Sequence, residues 1–246
     1  MMEIKCLGSG SSGNSYLIYD GRSALLLEAG LKKADMVNGY YEYWDKISGC
    51  LVTHEHKDHA KSVADLAKFG IDIYASKGTF DGIGNISHSH RCNFVSAGKQ
   101  FKIGSYVIMP FETKHDCNES LGFLIYSTAT HERLLFATDT YYIPNTFKHL
   151  NIIMVECNYS ETIMNEQLKK GCLNRSLAQR IQQSHFALEN VVDFLKANDL
   201  SKVSEIYLIH LSSANSDAEI FKKEIQSLTG KFVTVLPENN SEENIS

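Results

Sequence analysis

Within the segment Leu51–His59 (LVTHEHKDH) stand four side chains of the kind that bind metal ions: His54, His56, Asp58 and His59. They leave the end of an apolar, strand-like run and precede a helical pattern. Alternate residues of an extended segment point to one side, so His54 and His56 can face one ion, while Asp58 and His59, in the turn that follows, can face a second point nearby. Two imidazoles for one ion, and a carboxylate plus an imidazole for another, suit borderline divalent cations such as zinc. A binuclear centre needs further ligands from elsewhere. The candidates are His115 in FETKHDC, Asp139 in LLFATDT, His185 in QQSHFALEN and His210 in LIHLSSAN, each at or just past a strand end or before a helix.

A second motif invites different chemistry. Gly8–Ser15 (GSGSSGNS) follows strand-like Met2–Leu7 and matches the G-x-G-x-x-G dinucleotide fingerprint, with Glu28 about where a ribose-binding carboxylate would fall. A pyrophosphate site requires that loop to open a helix, whose amide groups hold the phosphates. Here it opens Ser15–Tyr19 (SYLIY), followed by the Asp20-Gly21 turn and the apolar run Ser23–Leu27. The loop therefore joins two strands, and a dinucleotide site is excluded on context. Its glycines still let backbone approach whatever lies at the end of the sheet.

The elements that must position these residues alternate along the chain. Strand-like runs are Met2–Leu7, Ser15–Tyr19, Ser23–Leu27, Ile47–Thr53, Ile71–Ala75, Phe101–Pro110, Leu121–Ser127, Arg133–Thr138, Ile152–Glu156, Glu205–Leu211 and Phe232–Leu236. Helical patterns cover Ala60–Phe69, Glu161–Lys170, Leu177–Gln183, Ala187–Ala197 and Asp217–Leu228. Strand-rich stretches with inserted helices predict an α/β domain of two sheets between helices, spanning residues 1–236, with a polar tail over 237–246. No run approaches a membrane span, and the six scattered cysteines contain no C-x-x-C pair and read as buried thiols, so a soluble cytoplasmic protein is expected. A net charge of −5 argues against a broad basic face that grips long nucleic acid, although basic clusters occur at Lys32-Lys33 and over Lys169–Arg180.

The H-x-H-x-D-H spacing of His54, His56, Asp58 and His59 resembles the signature of the metallo-β-lactamase superfamily, and the resemblance extends over nearly the whole chain through His115, the TDT segment of Asp139 and the HLS segment of His210. It implies an αββα sandwich with the metals at one end. In the pattern of the nuclease-like and phosphodiesterase branches, the first ion would be held by His54, His56 and His115. The second would be held by Asp58, His59 and His210, with Asp139 bridging both. Zinc is the expected metal, with manganese the alternative. The Gly-Ser loop would form part of the site's rim, where Ser11, Ser12 and Asn14 could contact a substrate phosphate, and Glu28 replaces the family's usual aspartate behind a metal-binding histidine.

The stretch from Glu156 onward is similar to YycJ- and WalJ-type nucleases and their tRNase Z relatives, which carry an extra histidine before the last ligand; His185 matches it. Where those nucleases tend to read Glu-Ser-Asn-His-Asp, this chain has Glu156-Cys157-Asn158-Tyr159-Ser160. The resemblance implies that Asp58 orients or deprotonates the nucleophilic water, that His185 stabilises the transition state or protonates the leaving oxygen, and that Glu156 fixes the His185 tautomer. The intervals after His115 and Asp139 leave no room for a long RNA-gripping arm or a cap domain. The compact build also resembles cyclic nucleotide phosphodiesterases of the anti-Pycsar type. The expected function is therefore hydrolysis of a nucleotide phosphodiester, preferentially a small cyclic nucleotide; the alternatives are a DNA or RNA exonuclease and a silent nucleotide-sequestering protein. Superfamily members commonly pair, so a homodimer is expected.

Overall fold

The computed structural model describes residues 1–237 of the chain, so the expected polar tail lies almost wholly outside the described residues. Two sheets carry the architecture. The first contains β1 (Glu3–Gly8), β2 (Ser15–Tyr19), β3 (Ala24–Leu27), β4 (Ile47–Leu51), β5 (Ile73–Ala75) and β6 (Cys92–Phe94), side by side in chain order. Its first three strands form an antiparallel meander and the rest add in parallel. Helices α1 (Lys33–Gly39), α2 (Lys57–Ala60), α3 (Val63–Lys68) and α4 (Lys77–Ile83) lie between them in sequence.

The second sheet repeats this plan with β7 (Phe101–Ile103), β8 (Tyr106–Glu112), β9 (Leu121–Ser127), β10 (Arg133–Ala137), β11 (Ile152–Glu156), β12 (Glu205–Ile209) and β13 (Phe232–Val235). The strands from β7 to β10 form a meander, and β11 to β13 continue in parallel. Helices α5 (Glu161–Lys169), α6 (Arg175–Ser184), α7 (Leu188–Ala197) and α8 (Ala218–Thr229) fill the crossovers.

Strand alternation sends successive side chains to opposite faces, and both faces of each sheet are covered. Tyr16, Ile18, Leu25 and Leu27 meet Ile108, Phe123, Phe136 and Met154 between the sheets. Leu17, Leu26 and Cys50 face outward onto Met36, Val63 and Leu66, while Ile153, Val155 and Leu208 face Val191, Phe194 and Phe221. This is why the strands read as continuous apolar runs such as ALLL and IIMV rather than as alternating ones. Each fully buried Leu, Ile or Phe contributes roughly 1.5–3 kcal/mol, so the αββα sandwich rests on three apolar layers. Among the described residues no helix is long and apolar enough to cross a membrane.

Several elements depart from the sequence expectation for local reasons. Phe101–Pro110 is a hairpin rather than one strand, because Gly104 takes φ +53 and turns the chain between β7 and β8. The helix expected over Ala60–Phe69 is split into α2 and α3 at Ser62, whose N–H donates to Ala29 O and whose hydroxyl donates to Leu31 O. Helices α1 and α4 and strand β6 were not expected. In α4 (KGTFDGI) two glycines lower helix propensity, and an N-cap bond from Thr79 N–H to Ser76 Oγ starts it.

Candidate metal centre

The chemistry-bearing side chains gather where the parallel strands end. His54, His56, Asp58 and His59 follow β4, His115 follows β8, Asp139 follows β10, Glu156 ends β11 and His210 follows β12. Open sheets place their sites at such carboxyl ends. Three of the turns take a left-handed backbone without glycine: Glu28 (φ +69), Asp139 (φ +46) and His210 (φ +54). Each such residue costs about 1–3 kcal/mol and persists only where its surroundings hold it.

One nitrogen from each of His54, His56 and His115 lies within 4.8 Å of the others, forming a first cluster. His115 Nδ1–H donates to Ser184 O at 2.8 Å, which leaves Nε2 to face inward. His54 Nδ1 is 2.9 Å from Thr53 Oγ1, and its buried Nε2 has no hydrogen-bond partner. Burial, together with the neighbouring His59 charge, pushes the His54 pKa well down, so this imidazole is neutral and its lone pair available.

Asp58, His59, Asp139 and His210 form the second cluster. His59 Nε2 lies 3.3 Å from Asp58 Oδ2 and 3.4 Å from Asp139 Oδ1. His210 Nε2 lies 3.4 Å from Asp58 Oδ2. Asp139 joins the clusters, because its Oδ1 faces His59 while its Oδ2 is 3.6 Å from His115 Nε2 and 3.9 Å from His54 Nε2.

Behind these groups two carboxylates are completely buried. Glu28 Oε2 stands 3.6 Å from His59 Nδ1, so the longer side chain still reaches the histidine. Glu156 is more fully engaged. Its Oε1 accepts from His185 Nδ1 at 2.6 Å and lies 3.2 Å from His210 Nδ1, and its Oε2 accepts the N–H groups of Thr140 at 3.0 Å and Phe186 at 3.1 Å. His185 stacks on His210 with ring centroids 5.6 Å apart and planes at 14°. Burial opposes the charged form of His185, but the Glu156 charge and hydrogen bond outweigh it and raise the pKa. For His210 burial is likewise outweighed, here by Asp139 first, and the pKa rises to about 10.

The donor set fits divalent cations. Glu28, Asp58, Asp139 and Glu156 pair only with histidines among the described residues, so four inward-facing carboxylates lack a Lys or Arg counter-charge. Neutral imidazole and carboxylate oxygen are the ligand types of zinc and related ions, and the unpartnered His54 Nε2 points to the same need.

The Gly-Ser loop supports the site from behind. Ser11 and Ser12 are exposed on it, but Asn14 is entirely buried, which corrects its expected role as a substrate contact. Asn14 Oδ1 accepts from Gly10 N–H, and its Nδ2 donates to Gly10 O and sits 3.1 Å from His59 Nε2. The segment after β3 packs closely on both the loop and Asp58, so that a Cβ on Gly30 would lie 1.7 Å from Asp58 O and 2.6 Å from Asn14 N. Two supports escaped the sequence reading. Ser9 Oγ accepts the His210 N–H at 2.9 Å, and Asn158 Nδ2 donates to His210 O at 2.9 Å. The place of Ser9 within the glycine loop is a sequence signal only for a turn. Tyr159, standing where the resembled nucleases have histidine, is 2% exposed and packs with Met164, Ala178 and Ala187.

A sandwich of this topology with histidines and carboxylates at its strand ends defines a class of metal-dependent hydrolases. The Beta-lactamase superfamily domain matches residues 35–211, and the chain belongs to that family. Its fold is that of the metallo-β-lactamase-fold hydrolases. It is 28% identical over 241 residues to Exodeoxyribonuclease YycJ of Bacillus anthracis, covering 92% of this chain and 89% of that protein. It is 28% identical to Exodeoxyribonuclease WalJ of Streptococcus pneumoniae serotype 2, covering 87% and 83% respectively. Among solved structures, the metallo-beta-lactamase fold protein YhfI from Bacillus subtilis superposes with a TM-score of 0.70 at 15% identity, over 97% of this chain and 98% of that one.

Proposed function

We propose that the chain is a binuclear-metal phosphodiesterase that hydrolyses a nucleotide phosphodiester, with a small cyclic nucleotide preferred to a polymer. The observation that carries this reading is the pair of Asp139 oxygens, one facing each histidine cluster, with the His185–Glu156 pair beside them. His54, His56 and His115 would hold one ion and Asp58, His59 and His210 the other, with Asp139 shared; zinc suits the donors and manganese is the alternative. When bound, such ions lower the pKa of a water towards neutrality and neutralise charge on phosphoryl oxygens.

The chain's own residues supply the remainder. Asp58, at the mouth of the site, orients the attacking water or takes its proton. Glu156 accepts a hydrogen bond from His185 Nδ1–H and its charge favours the imidazolium, whose Nε2–H protonates the departing oxygen. Glu156 also steadies the last ligand, since the same oxygen lies 3.2 Å from His210 Nδ1.

The charge of the surroundings favours a small substrate. Arg180 pairs with Asp116 at 3.3 Å and Lys114 with Glu112 at 3.9 Å, so two cations near His115 already face carboxylates, and the chain carries net charge −5. A long polymer gains affinity from a continuous basic track. A second reading, an exonuclease acting on DNA, draws support from the names of the two exodeoxyribonucleases similar over most of the chain. The test is a side-by-side assay of metal-loaded protein on 3′,5′-cyclic nucleotides and on end-labelled single- and double-stranded DNA and RNA. Cleavage of the cyclic nucleotides alone is the expected result; shortening of the polymers with cyclic nucleotides untouched would make the exonuclease reading correct.

A further inference from the structure

Next to His115, the loop after β8 and the turn after Asp139 line an open cleft of about 320 Å³ whose wall includes Thr113, Lys114, Asn118, Glu119 and Tyr141. We propose that this cleft receives the base of the nucleotide and selects bases that carry an amino group. The inference rests on the phosphodiesterase reading and adds a specificity subsite to it.

Three observations carry it. The size lies in the range of small-molecule sites, and His115 lines the cleft and also belongs to the first cluster, so a phosphate at the metals leaves its nucleoside within reach. Tyr141 keeps 40% of its surface exposed although its backbone is pinned, its N–H donating to Lys114 O at 3.1 Å and its carbonyl accepting from Asn190 Nδ2 at 3.3 Å. An aromatic ring held open on a fixed backbone offers a stacking face that every base can use. Thr113, only 7% exposed, has a hydroxyl without a hydrogen-bond partner, an arrangement that costs stability unless a ligand supplies one.

Part of the wall is built in advance. Asn118 N–H donates to Glu55 Oε1 at 2.8 Å, Gly78 N–H donates to Glu119 Oε2 at 2.8 Å, and Ser76 Oγ donates to Glu119 O at 2.7 Å. Recognition by Glu119 then falls to its second oxygen, which can only accept. Adenine, guanine and cytosine present amino hydrogens to such an acceptor. Uracil and thymine present carbonyl oxygens on either side of their N–H, and a carboxylate repels these.

The test compares wild type, Tyr141→Ala, Tyr141→Phe and Glu119→Gln, all metal-loaded, on cyclic guanosine and uridine nucleotides and on methyl p-nitrophenyl phosphate, which has no base. Tyr141→Ala should raise KM for the guanosine substrate about tenfold with kcat and the base-free reaction little changed, since stacking acts on binding. Tyr141→Phe should restore the wild-type KM, and Glu119→Gln should narrow the guanosine-over-uridine ratio. Unchanged KM in Tyr141→Ala, or an unchanged base ratio in Glu119→Gln, would overturn the proposal. Calorimetric titration with guanosine and uridine 5′-monophosphates keeps it testable without turnover: absent binding, or equal affinity in wild type and Tyr141→Ala, also overturns it. Tyr141-dependent binding without hydrolysis of any phosphodiester would instead sink the phosphodiesterase reading and leave the base site standing.

Discussion

The two halves of the molecule each place a buried carboxylate behind histidines of the candidate metal centre, yet they hold it differently. In the first half Glu28 follows β3 and stands 3.6 Å from His59, with Thr53 N–H at 3.3 Å. In the second half Glu156 ends β11 and meets two histidines and two backbone N–H groups within 3.2 Å. Burial pushes the Glu28 pKa up and its partners only partly offset it, so the net shift is upward. Burial pushes Glu156 the same way, but the His185 charge and the hydrogen bonds win and the net shift is downward. The His185 charge, together with its hydrogen bond, keeps the buried Glu156 ionised, whereas the partners of Glu28 leave burial the larger effect.

The candidate ligands differ between halves in the same sense. His54, His56, Asp58 and His59 come from one contiguous segment, the first two from the loop after β4 and the last two from α2. His115, Asp139 and His210 each come from a separate strand end, and the last two sit in left-handed backbone. Distant groups compensate that strain. Ser9 holds His210 N–H, Asn158 holds its carbonyl, and Ser184 O orients His115.

Asp139→Ala should break the link between the halves most severely. Both clusters lose an oxygen, so metal content and activity should fall together, by more than the ~10–100-fold that loss of a group behind a ligand costs. Elemental analysis beside turnover checks this, and retention of both metals would remove Asp139 as the bridge. His185→Ala should keep metal while kcat drops ~10²–10⁴-fold, the range for a lost general acid; normal turnover would exclude it from proton transfer.

Glu156→Gln sharpens the comparison through pH. A proton donor must be protonated, so activity falls as pH rises through its pKa. Because the Glu156 charge raises the His185 pKa, removing it should move the alkaline fall of kcat/KM to lower pH, and the fall should be absent in His185→Ala. An unmoved alkaline limb would show that Glu156 acts on His210 alone. The smallest effect belongs to Ser9→Ala, which leaves the His210 N–H without its acceptor and should cost about 1–3 kcal/mol of stability, read as a lowered midpoint in urea. Full stability would mean that Asn158 alone suffices to hold the turn.

Much of the first half was legible as sequence. The H-x-H-x-D-H loop is contiguous, so the spacing along an extended segment and the turn after it already assign its residues to two points. The doubly covered strands announced themselves as unbroken apolar runs, and the context of GSGSSGNS excluded a dinucleotide loop because strand signals follow it. The candidates His115, Asp139, His185 and His210 were legible as residue types at strand ends, but their grouping was not. Which oxygen of Asp139 faces which cluster depends on a left-handed φ, and the partnership of Glu156 with both His185 and His210 depends on how β11, β12 and the end of α6 pack. Tertiary structure alone turned Asn14 inward beneath His59, and it alone sent Tyr159 into the core, although each sits in a polar segment. Local periodicity determines where side chains point along one strand. Contacts between distant strand ends depend on packing and long-range hydrogen bonds, and no spacing within one segment encodes those.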